Sequence, residues 1–196
     1  MWEEQKMRQW LQQHLPAGRY AHCEGTAETA VALAARVGVD KYKAHLAGLL
    51  HDAAKSLSLA EMRHYAEGEP LLDTMLWNSR NLLHAPASSG LCRRLFAVDD
   101  EGILAAIRWH TTGRVGMTLL ERIVFLADAM EPTRNYRGVE EIRKAAQDSI
   151  ESGMLASYRE TFCFLLESGQ PIHPAGIVAR NAILEELRPT KGEPLP

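Results

Sequence analysis

Apolar residues recur at a helical spacing along nearly the whole chain, and runs of alternating β-branched residues, the pattern typical of strands, are missing. The spacing predicts an all-α fold, a helical bundle. The predicted helices are 1–15, 20–37, 40–51, 58–67, 85–96, 99–110, 117–130, one or two across 139–167, and 174–187, with a short helix and turns mixed in 68–81.

Turn and capping residues set the predicted helix boundaries. Pro16 and Gly18 are expected to end the first helix. Ser58 and Glu61 have the spacing of a capping box, in which each side chain bonds to the backbone N–H of the other residue. Pro86 is placed in the first turn of its helix, where no backbone N–H is needed.

The length of 196 residues fits one ordinary domain, and no repeat, low-complexity tract or linker divides it. We expect a single domain over 1–188, with its motifs concentrated in 20–138, and a loose C-terminal tail over 189–196. The hydrophobic fraction of 46% is that of a folded chain and excludes a disordered one.

Charge and cysteine content limit which binding partners and which cellular compartment are expected. The net charge of −3 argues against a nucleic-acid partner. No apolar run approaches the roughly 18 residues that cross a membrane, and the N-terminal segment lacks the apolar stretch of a signal peptide. Three widely spaced cysteines without a CxxC pair argue against a disulfide framework and favour the reducing cytoplasm. The oligomeric state is left open, with a homodimer as one alternative.

Histidine and aspartate residues on three predicted helices carry most of the chemical information. His51 and Asp52 end the apolar segment AHLAGLL, His22 begins a helix face of small residues, and Asp128 lies at the margin of an apolar stripe. A buried carboxylate is costly unless it is paired or bound to a metal. Two imidazoles and two carboxylates suit Fe, Mn or Zn, and they leave positions for water and a phosphate oxygen.

Each of these residues also has a simpler interpretation. Asp52 by itself fits an exposed carboxylate at a helix end, and Asp128 fits a core acid satisfied by hydrogen bonds. Lys55, one turn beyond Asp52, is either a solvated lysine or a cation that faces the carboxylate. The residue pattern alone leaves these alternatives open.

Longer motifs connect these positions. They are AHCEGTAETAVALA, KAHLAGLLHDAAK, LLHAPASSG, AIRWHTTGRVGM and ERIVFLADAMEPTRNYRG, which run from about Tyr20 to Gly138. In this order they resemble the HD superfamily of metal-dependent phosphohydrolases, and most closely its YqeK-like branch, the symmetrical diadenosine tetraphosphate hydrolases of bacteria. An HD dipeptide alone is a weak signal, whereas HDxxK with HTTGxxGM and LADxxEPxR is a strong one. Ala53 departs from the branch, in which an aromatic residue is common there, and the chain after Gly138 matches only loosely.

The resemblance implies an HD-domain helical bundle with a transition-metal centre. His22, His51, Asp52 and Asp128 would be the metal ligands. Iron is expected before manganese or zinc, and the sequence does not fix whether one or two ions bind.

The resemblance also implies a set of phosphate contacts. His84 and His110 would face the same cavity and contact phosphates, or complete a second metal position. Thr111 and Arg134 would hold phosphate oxygens, although Arg134 also fits a surface arginine in a polar loop. Similar but weaker candidates are Arg114 and Arg137.

The implied reaction is metal-dependent hydrolysis of diadenosine tetraphosphate to two ADP. Asp52 would orient the attacking water, while Lys55 and His110 would offset charge or protonate the departing phosphate. The alternatives are a phosphohydrolase acting on a deoxynucleotide or an alarmone, a non-enzymatic nucleotide-sensing HD module, and a structural metal site. The enzyme is favoured because no HD ligand is missing, and because a structural site needs neither Lys55 nor His110.

Overall fold

A computed structural model describes residues 1–70 and 73–188, and within these ranges the chain forms eleven α-helices and no strand. The predicted all-α class is confirmed. The predicted tail over 189–196 lies outside the described residues. The helices are α1 (Glu4–His14), α2 (Ala17–Val37), α3 (Lys41–Leu50), α4 (Leu59–Ala66), α5 (Thr74–Asn78), α6 (Arg80–Arg94), α7 (Glu101–Trp109), α8 (Leu119–Met130), α9 (Val139–Asp148), α10 (Ile150–Glu167) and α11 (Pro174–Leu187).

Small residues let α2 and α3 pack closely. A Cβ added at Gly48 of α3 would lie 2.8 Å from the Cα of Ala27 in α2, so no larger residue fits at this position. Helix α8 packs against both α2 and α3, and α7 packs against α3 and α8. The four helices therefore meet around one point, where the ends of α3 and α7 come close to the faces of α2 and α8.

Several helix ends follow the predicted capping rules. The side chain of Asp40 accepts hydrogen bonds from Tyr42 N and Lys43 N at the start of α3. Ser58 and Glu61 form the predicted capping box of α4. Helix α8 starts with a second capping box, formed by Thr118 and Glu121.

Two predicted boundaries are wrong. Gly18 does not end α1, because the chain turns at Leu15 and α2 already begins at Ala17, directly after Pro16. Helix α6 starts at Arg80, five residues earlier than expected, so Pro86 lies in its second turn. Burial of this part of α6 between α4 and α7 outweighs the hydrogen bond that Pro86 cannot donate.

The C-terminal part of the chain forms two helices across 139–167. Ser149 separates α9 from α10, and its side chain accepts a hydrogen bond from Ser152 N. The segment 68–81 contains the short helix α5, as the mixed pattern predicts. In the described residues, no helix combines the length and hydropathy needed to cross a membrane.

Candidate metal centre

The four predicted ligands converge at the point where α2, α3 and α8 meet. His22 lies in α2, His51 and Asp52 directly follow α3, and Asp128 lies in α8. His22 Nε2 is 3.1 Å from His51 Nε2 and 2.9 Å from Asp128 Oδ1, while Asp52 Oδ2 is 3.6 Å from His51 Nε2. Only the Asp128 side chain keeps appreciable exposure, at 21%. The centre therefore opens to its surroundings on the Asp128 side.

Backbone carbonyl groups orient two of the imidazole rings. His51 Nδ1 is 2.7 Å from the oxygen of Gly48, and His110 Nδ1 is 2.7 Å from the oxygen of Ile107. Because a carbonyl oxygen only accepts, each Nδ1 carries the proton of the neutral ring. Each Nε2 therefore directs its lone pair into the centre.

The third imidazole is oriented by a buried carboxylate. His22 Nδ1 is 2.9 Å from Glu131 Oε1, and the Glu131 side chain is fully buried. Thr133 N donates to Glu131 Oε2 at 2.7 Å. A Cβ at Gly25 would lie 2.5 Å from Glu131 Oε2, so a larger residue there would displace this carboxylate. Sequence reasoning missed Glu131, although it lies in the motif LADAMEP and a ligating histidine needs an acceptor for its second nitrogen.

The spacing of the donor atoms fits a bound cation. Two neutral Nε2 atoms 3.1 Å apart present lone pairs to each other, which is unfavourable without a cation or a proton between them. Two atoms about 2.1 Å from one ion and at a right angle lie about 3 Å apart, which matches the 3.1 and 2.9 Å distances around His22. The buried Asp52 Oδ1 lies 3.1 Å from His84 Nε2 and has no assigned hydrogen bond among the described residues.

Two groups of three residues could each hold an ion, because each residue offers one ligand atom and the three atoms lie within 4.8 Å of one another. These triads are His22, His51 and Asp128, and His51, Asp52 and His110. Both triads use His51. Because one Nε2 holds one ion, the triads are alternatives for this residue. The residues present fit a divalent metal.

The simpler interpretations of Asp52 and Lys55 do not hold. Asp52 is 2% exposed and accepts a hydrogen bond from Arg19 Nη1 at 2.7 Å, so it is not a solvated carboxylate. Lys55 Nζ lies 3.1 Å from His84 Nε2, facing the centre. Sequence reasoning also missed Arg19, whose signal was its position three residues before His22 on the same helix face.

The predicted phosphate contacts adjoin the same centre. His84 Nε2 is 3.0 Å from His110 Nε2, and Thr111 Oγ1 is 3.2 Å from His110 Nε2. Arg134 Nε donates to the Asp128 backbone oxygen at 2.8 Å, and its Nη2 donates to Asp128 Oδ1. Arg134 is therefore not a free surface arginine.

The two weaker arginine candidates lie elsewhere. Arg114 forms a bidentate ion pair with the buried Glu121, at 2.9 and 3.0 Å, so its guanidinium does not face the centre. Arg137 is 90% exposed and lies 3.8 Å from Glu167. Of these three arginines, Arg134 therefore contacts the centre, whereas Arg114 and Arg137 pair with glutamates elsewhere.

An HD-domain family model matches residues 19–133. The chain is 40% identical to the symmetrical bis(5'-nucleosyl)-tetraphosphatase of Halalkalibacterium halodurans over 93% of its length and 98% of that protein. It is 39% identical to the protein of the same name from Bacillus subtilis, over 87% and 92% of the two chains. The chain belongs to this HD-domain hydrolase family.

A solved structure agrees with this assignment. A Clostridium acetobutylicum protein, described as a predicted HD superfamily hydrolase involved in NAD metabolism, superposes with a TM-score of 0.90 at 37% identity. The match covers 95% of this chain and 99% of that protein. The predicted HD-domain fold is thereby confirmed, and the family implies the divalent metal that the ligand geometry fits.

The carboxylates of this HD hydrolase are held in their charged form. Burial opposes ionisation of Asp52, but the neighbouring His51 and His84 outweigh it and lower the pKa of Asp52 well below its usual value. Partial burial likewise opposes ionisation of Asp128, but its partner Arg134 outweighs this effect and lowers the pKa of Asp128 well below its usual value. Both carboxylates therefore stay negatively charged, the form in which a carboxylate binds a metal.

Burial disfavours the charged form of the basic groups as well, and for a base this lowers the pKa. It lowers the pKa values of His84 and His110, with the charges of Lys55 and His51, respectively, as the next cause. Burial is also the main cause that lowers the pKa of Lys55. At His51, burial is outweighed by Asp52 and Asp128, which raise the pKa. Neutral His84 and His110 keep lone pairs that can bind a metal or accept a proton.

Two cavities adjoin the open side of the HD centre. The arginine cavity has a volume of about 690 Å³ and includes Asp128, Arg134, Tyr136, Arg137, Glu160 and Cys163 in its lining. The aromatic cavity has a volume of about 790 Å³ and includes Asn78, Asn81, Leu82, Tyr158, Phe162 and Gln170. The two cavities share Thr111, Phe125, Thr161 and Phe164.

Proposed function

We propose that this chain hydrolyses diadenosine tetraphosphate to two ADP by cutting the middle anhydride. The observation that carries the proposal is the convergence of His22, His51, Asp52 and Asp128 at an opening beside phosphate-binding side chains. Its support from relatives is the match to symmetrical bis(5'-nucleosyl)-tetraphosphatases over nearly the full length of both chains.

His22, His51, Asp52 and Asp128 would hold the metal. Their mix of imidazole and carboxylate donors suits iron, manganese or zinc, and the family resemblance favours iron. When bound by these residues, a divalent ion would supply Lewis acidity that makes water a better nucleophile and offsets negative charge on the phosphates. Glu131 keeps the His22 lone pair directed inward through its contact with Nδ1.

Asp52 orients the attacking water in this mechanism. Its Oδ2 accepts from Arg19, whereas Oδ1 has no hydrogen bond among the described residues and can accept one from water. Because its pKa is held low, the carboxylate stays ionised and maintains this orientation at neutral pH. Asp52 thereby joins the metal centre to the nucleophile.

His84, His110, Thr111 and Lys55 act on the phosphates. Thr111 Oγ1 donates to a phosphate oxygen at the rim of the centre. Lys55 Nζ lies 3.1 Å from His84 Nε2 and supplies positive charge as the leaving diphosphate departs. His110 Nε2, in a ring fixed by Ile107, first accepts the proton that the attacking water releases and then donates it to the departing diphosphate.

Arg134 positions one phosphate at the mouth of the centre. Its bonds to Asp128 use Nε and Nη2, so among the described contacts Nη1 is left to donate to a phosphate oxygen. The planar guanidinium suits this contact because its donors have a fixed geometry. The substrate is then anchored next to a metal ligand.

A second candidate substrate is a dinucleotide of NAD metabolism. The observation that favours it is the description of the similar Clostridium acetobutylicum protein. The same centre would cleave a pyrophosphate linkage between two nucleosides.

We place the reaction in the cytoplasm, which the free cysteines Cys23, Cys92 and Cys163 support.

The products decide between these substrates and between cut positions. The purified protein, supplied with iron or manganese, is incubated with diadenosine tetraphosphate or with NAD in oxygen-18 water, followed by chromatography and mass spectrometry. We expect ADP as the sole nucleotide product, with one label per cleavage on a terminal phosphate. ATP plus AMP would refute the symmetrical cut, and faster turnover of NAD would favour the second candidate.

A further inference from the structure

The two cavities beside the centre have similar volumes, about 690 and 790 Å³, and both fall in the range of small-molecule sites. They share Thr111, whose hydroxyl lies 3.2 Å from His110 Nε2. A substrate that extends from one cavity to the other therefore passes over the open side of the metal centre.

The two cavities differ in charge. The arginine cavity contains Asp128 and Arg134 at the centre, with Arg137, Glu160 and Glu167 farther along its wall. None of the described residues that line the aromatic cavity is an aspartate, glutamate, lysine or arginine. Its lining does include His173, whose Nε2 lies 2.9 Å from Asp73 Oδ2. A cavity of this size without lysine or arginine disfavours a polyphosphate and suits an uncharged base with its ribose.

Aromatic rings form one wall of the aromatic cavity. Tyr158 contacts Phe125 with ring centroids 4.8 Å apart and Phe162 with centroids 5.7 Å apart. Tyr158 is also fixed by its hydroxyl, which donates to the oxygen of Thr112 at 3.1 Å. Such a rigid ring wall offers a stacking surface for a planar base.

Amide side chains lie on two further parts of the lining. Asn81 is in the first turn of α6, and Gln170 is in the connection between α10 and α11. An amide offers both a donor and an acceptor, which matches the edge of a nucleobase. Stacking and edge recognition are thus available in the same uncharged space.

We infer that the aromatic cavity is a nucleoside subsite that binds the base and ribose of the departing half of the substrate, while the arginine cavity binds the other half. This inference rests on the proposed function. Two comparable cavities meeting at the centre place the middle anhydride of a symmetrical dinucleotide at Thr111. The aromatic cavity would then select a substrate with a second nucleoside over one without it.

Adenosine 5'-tetraphosphate provides the test, because it has the same phosphate chain as diadenosine tetraphosphate but lacks the second nucleoside. For wild type with manganese or iron, we expect KM for the dinucleotide to be about tenfold lower, since base stacking on aromatic rings accounts for a factor of that order. Asn81→Trp, which fills the aromatic cavity, should raise KM for the dinucleotide about tenfold, while KM for adenosine tetraphosphate stays unchanged.

Cys163→Trp is the matched control, because Cys163 is also an exposed helical residue but lines only the arginine cavity. It should raise KM for both nucleotides. Gln170→Trp fills the aromatic cavity from another part of its lining and should reproduce Asn81→Trp if that variant folds poorly.

The outcomes separate the two proposals. Equal KM values of the two nucleotides for wild type, or an equal rise for both in Asn81→Trp and Gln170→Trp, would overturn the subsite while leaving the hydrolase standing. If metal-supplied wild type hydrolyses neither nucleotide, the proposed function is wrong and the subsite falls with it.

Discussion

The metal centre and the aromatic cavity are neighbours, yet they are built in different ways. At the centre, His22, His51 and Asp52 are at most 5% exposed, and short hydrogen bonds to carbonyl groups or carboxylates fix each ring. In the aromatic cavity, Phe164 is 60% exposed, and the lining comes from α5, α6, α8, α10, the start of α11 and the chain segments after α7 and α10. In the proposed function, the buried region carries out the chemistry and the open region selects the substrate.

This difference explains which changes each region tolerates. A buried residue that binds a metal tolerates little change, because its replacement must present a lone pair at the same place and carry the same charge. A cavity wall depends on shape, so several apolar or amide residues can serve. The two regions should therefore respond to mutation in different quantities: metal affinity at the centre, and KM at the cavity.

The largest effect is expected from loss of a ligand. His51→Ala and Asp128→Ala should lose the bound metal, and turnover should fall by roughly 10³-fold or more because charge stabilisation of the transition state is removed. Metal content by mass spectrometry and steady-state kinetics measure the two effects, and circular dichroism checks the helical fold.

His45→Ala is the matched control for His51→Ala. His45 lies on α3 but contacts Glu4 and Arg8 instead of the centre. It should keep both metal and activity. A His51→Ala protein that retains its metal at wild-type occupancy would contradict the ligand assignment.

The next effect separates the two sides of the phosphate site. His110→Ala should lower kcat and kcat/KM together by about 10²-fold, since its contact strengthens as charge develops on the leaving group. Arg134→Ala should instead raise KM, by about tenfold, because a charge-assisted hydrogen bond to the ground-state phosphate is lost. Arg114→Ala, which removes an arginine paired with Glu121, should leave KM unchanged.

Metal analysis of the same variants sharpens the comparison. Arg134→Ala is expected to retain the ion. Loss of the ion in His110→Ala would place it in the triad of His51, Asp52 and His110 rather than beside His22 and Asp128.

A smaller effect on metal affinity is expected from Glu131, which contacts a predicted ligand but not the metal. Glu131→Ala should weaken metal affinity by about 10- to 100-fold, because His22 loses the acceptor that fixes its ring. Glu131→Gln, which keeps an acceptor oxygen but no charge, should fall between wild type and alanine. Competition with a chelator measures the affinity without relying on turnover.

Glu121→Gln is the control for burial. Glu121 is also a fully buried glutamate, but it caps α8 and pairs with Arg114. Its substitution should lower stability without changing metal affinity. Equal losses of affinity in the two glutamine variants would mean that Glu131 acts through general packing.

The sequence predicted most of the centre because its signals are local. His51 and Asp52 are adjacent at the end of an apolar helix, and HDxxK places Lys55 on the next turn. Most helices were predicted for the same reason, through apolar spacing and capping residues such as Asp40. Residue type and short-range spacing were sufficient there.

The missed features depend on contacts between distant segments. Glu131 meets His22 across 109 positions, and Gly25 matters only because that carboxylate lies against it. Pro86 was misplaced because tertiary burial of α6 outweighed the local rule for proline. The cavities were not predicted for the same reason. The arginine cavity joins α8 and the segment after it to α10, and the aromatic cavity joins α5 and α6 to α8, α10 and the chain before α11.

The smallest effect is expected from a substitution far from the centre, which tests whether metal affinity depends on the stability of the whole protein. Ser58→Ala removes the side chain that accepts from Glu61 N at the start of α4, away from both regions. Loss of such a cap lowers the free energy of unfolding by about 1 kcal/mol, which corresponds to about 2–4 °C in Tm for a chain of this size. Metal affinity and KM should stay at wild-type values, because α4 supplies neither a ligand nor a cavity wall. Calorimetry together with chelator competition measures both, and a change in metal affinity as large as that of Glu131→Ala would show that the centre depends on the whole bundle.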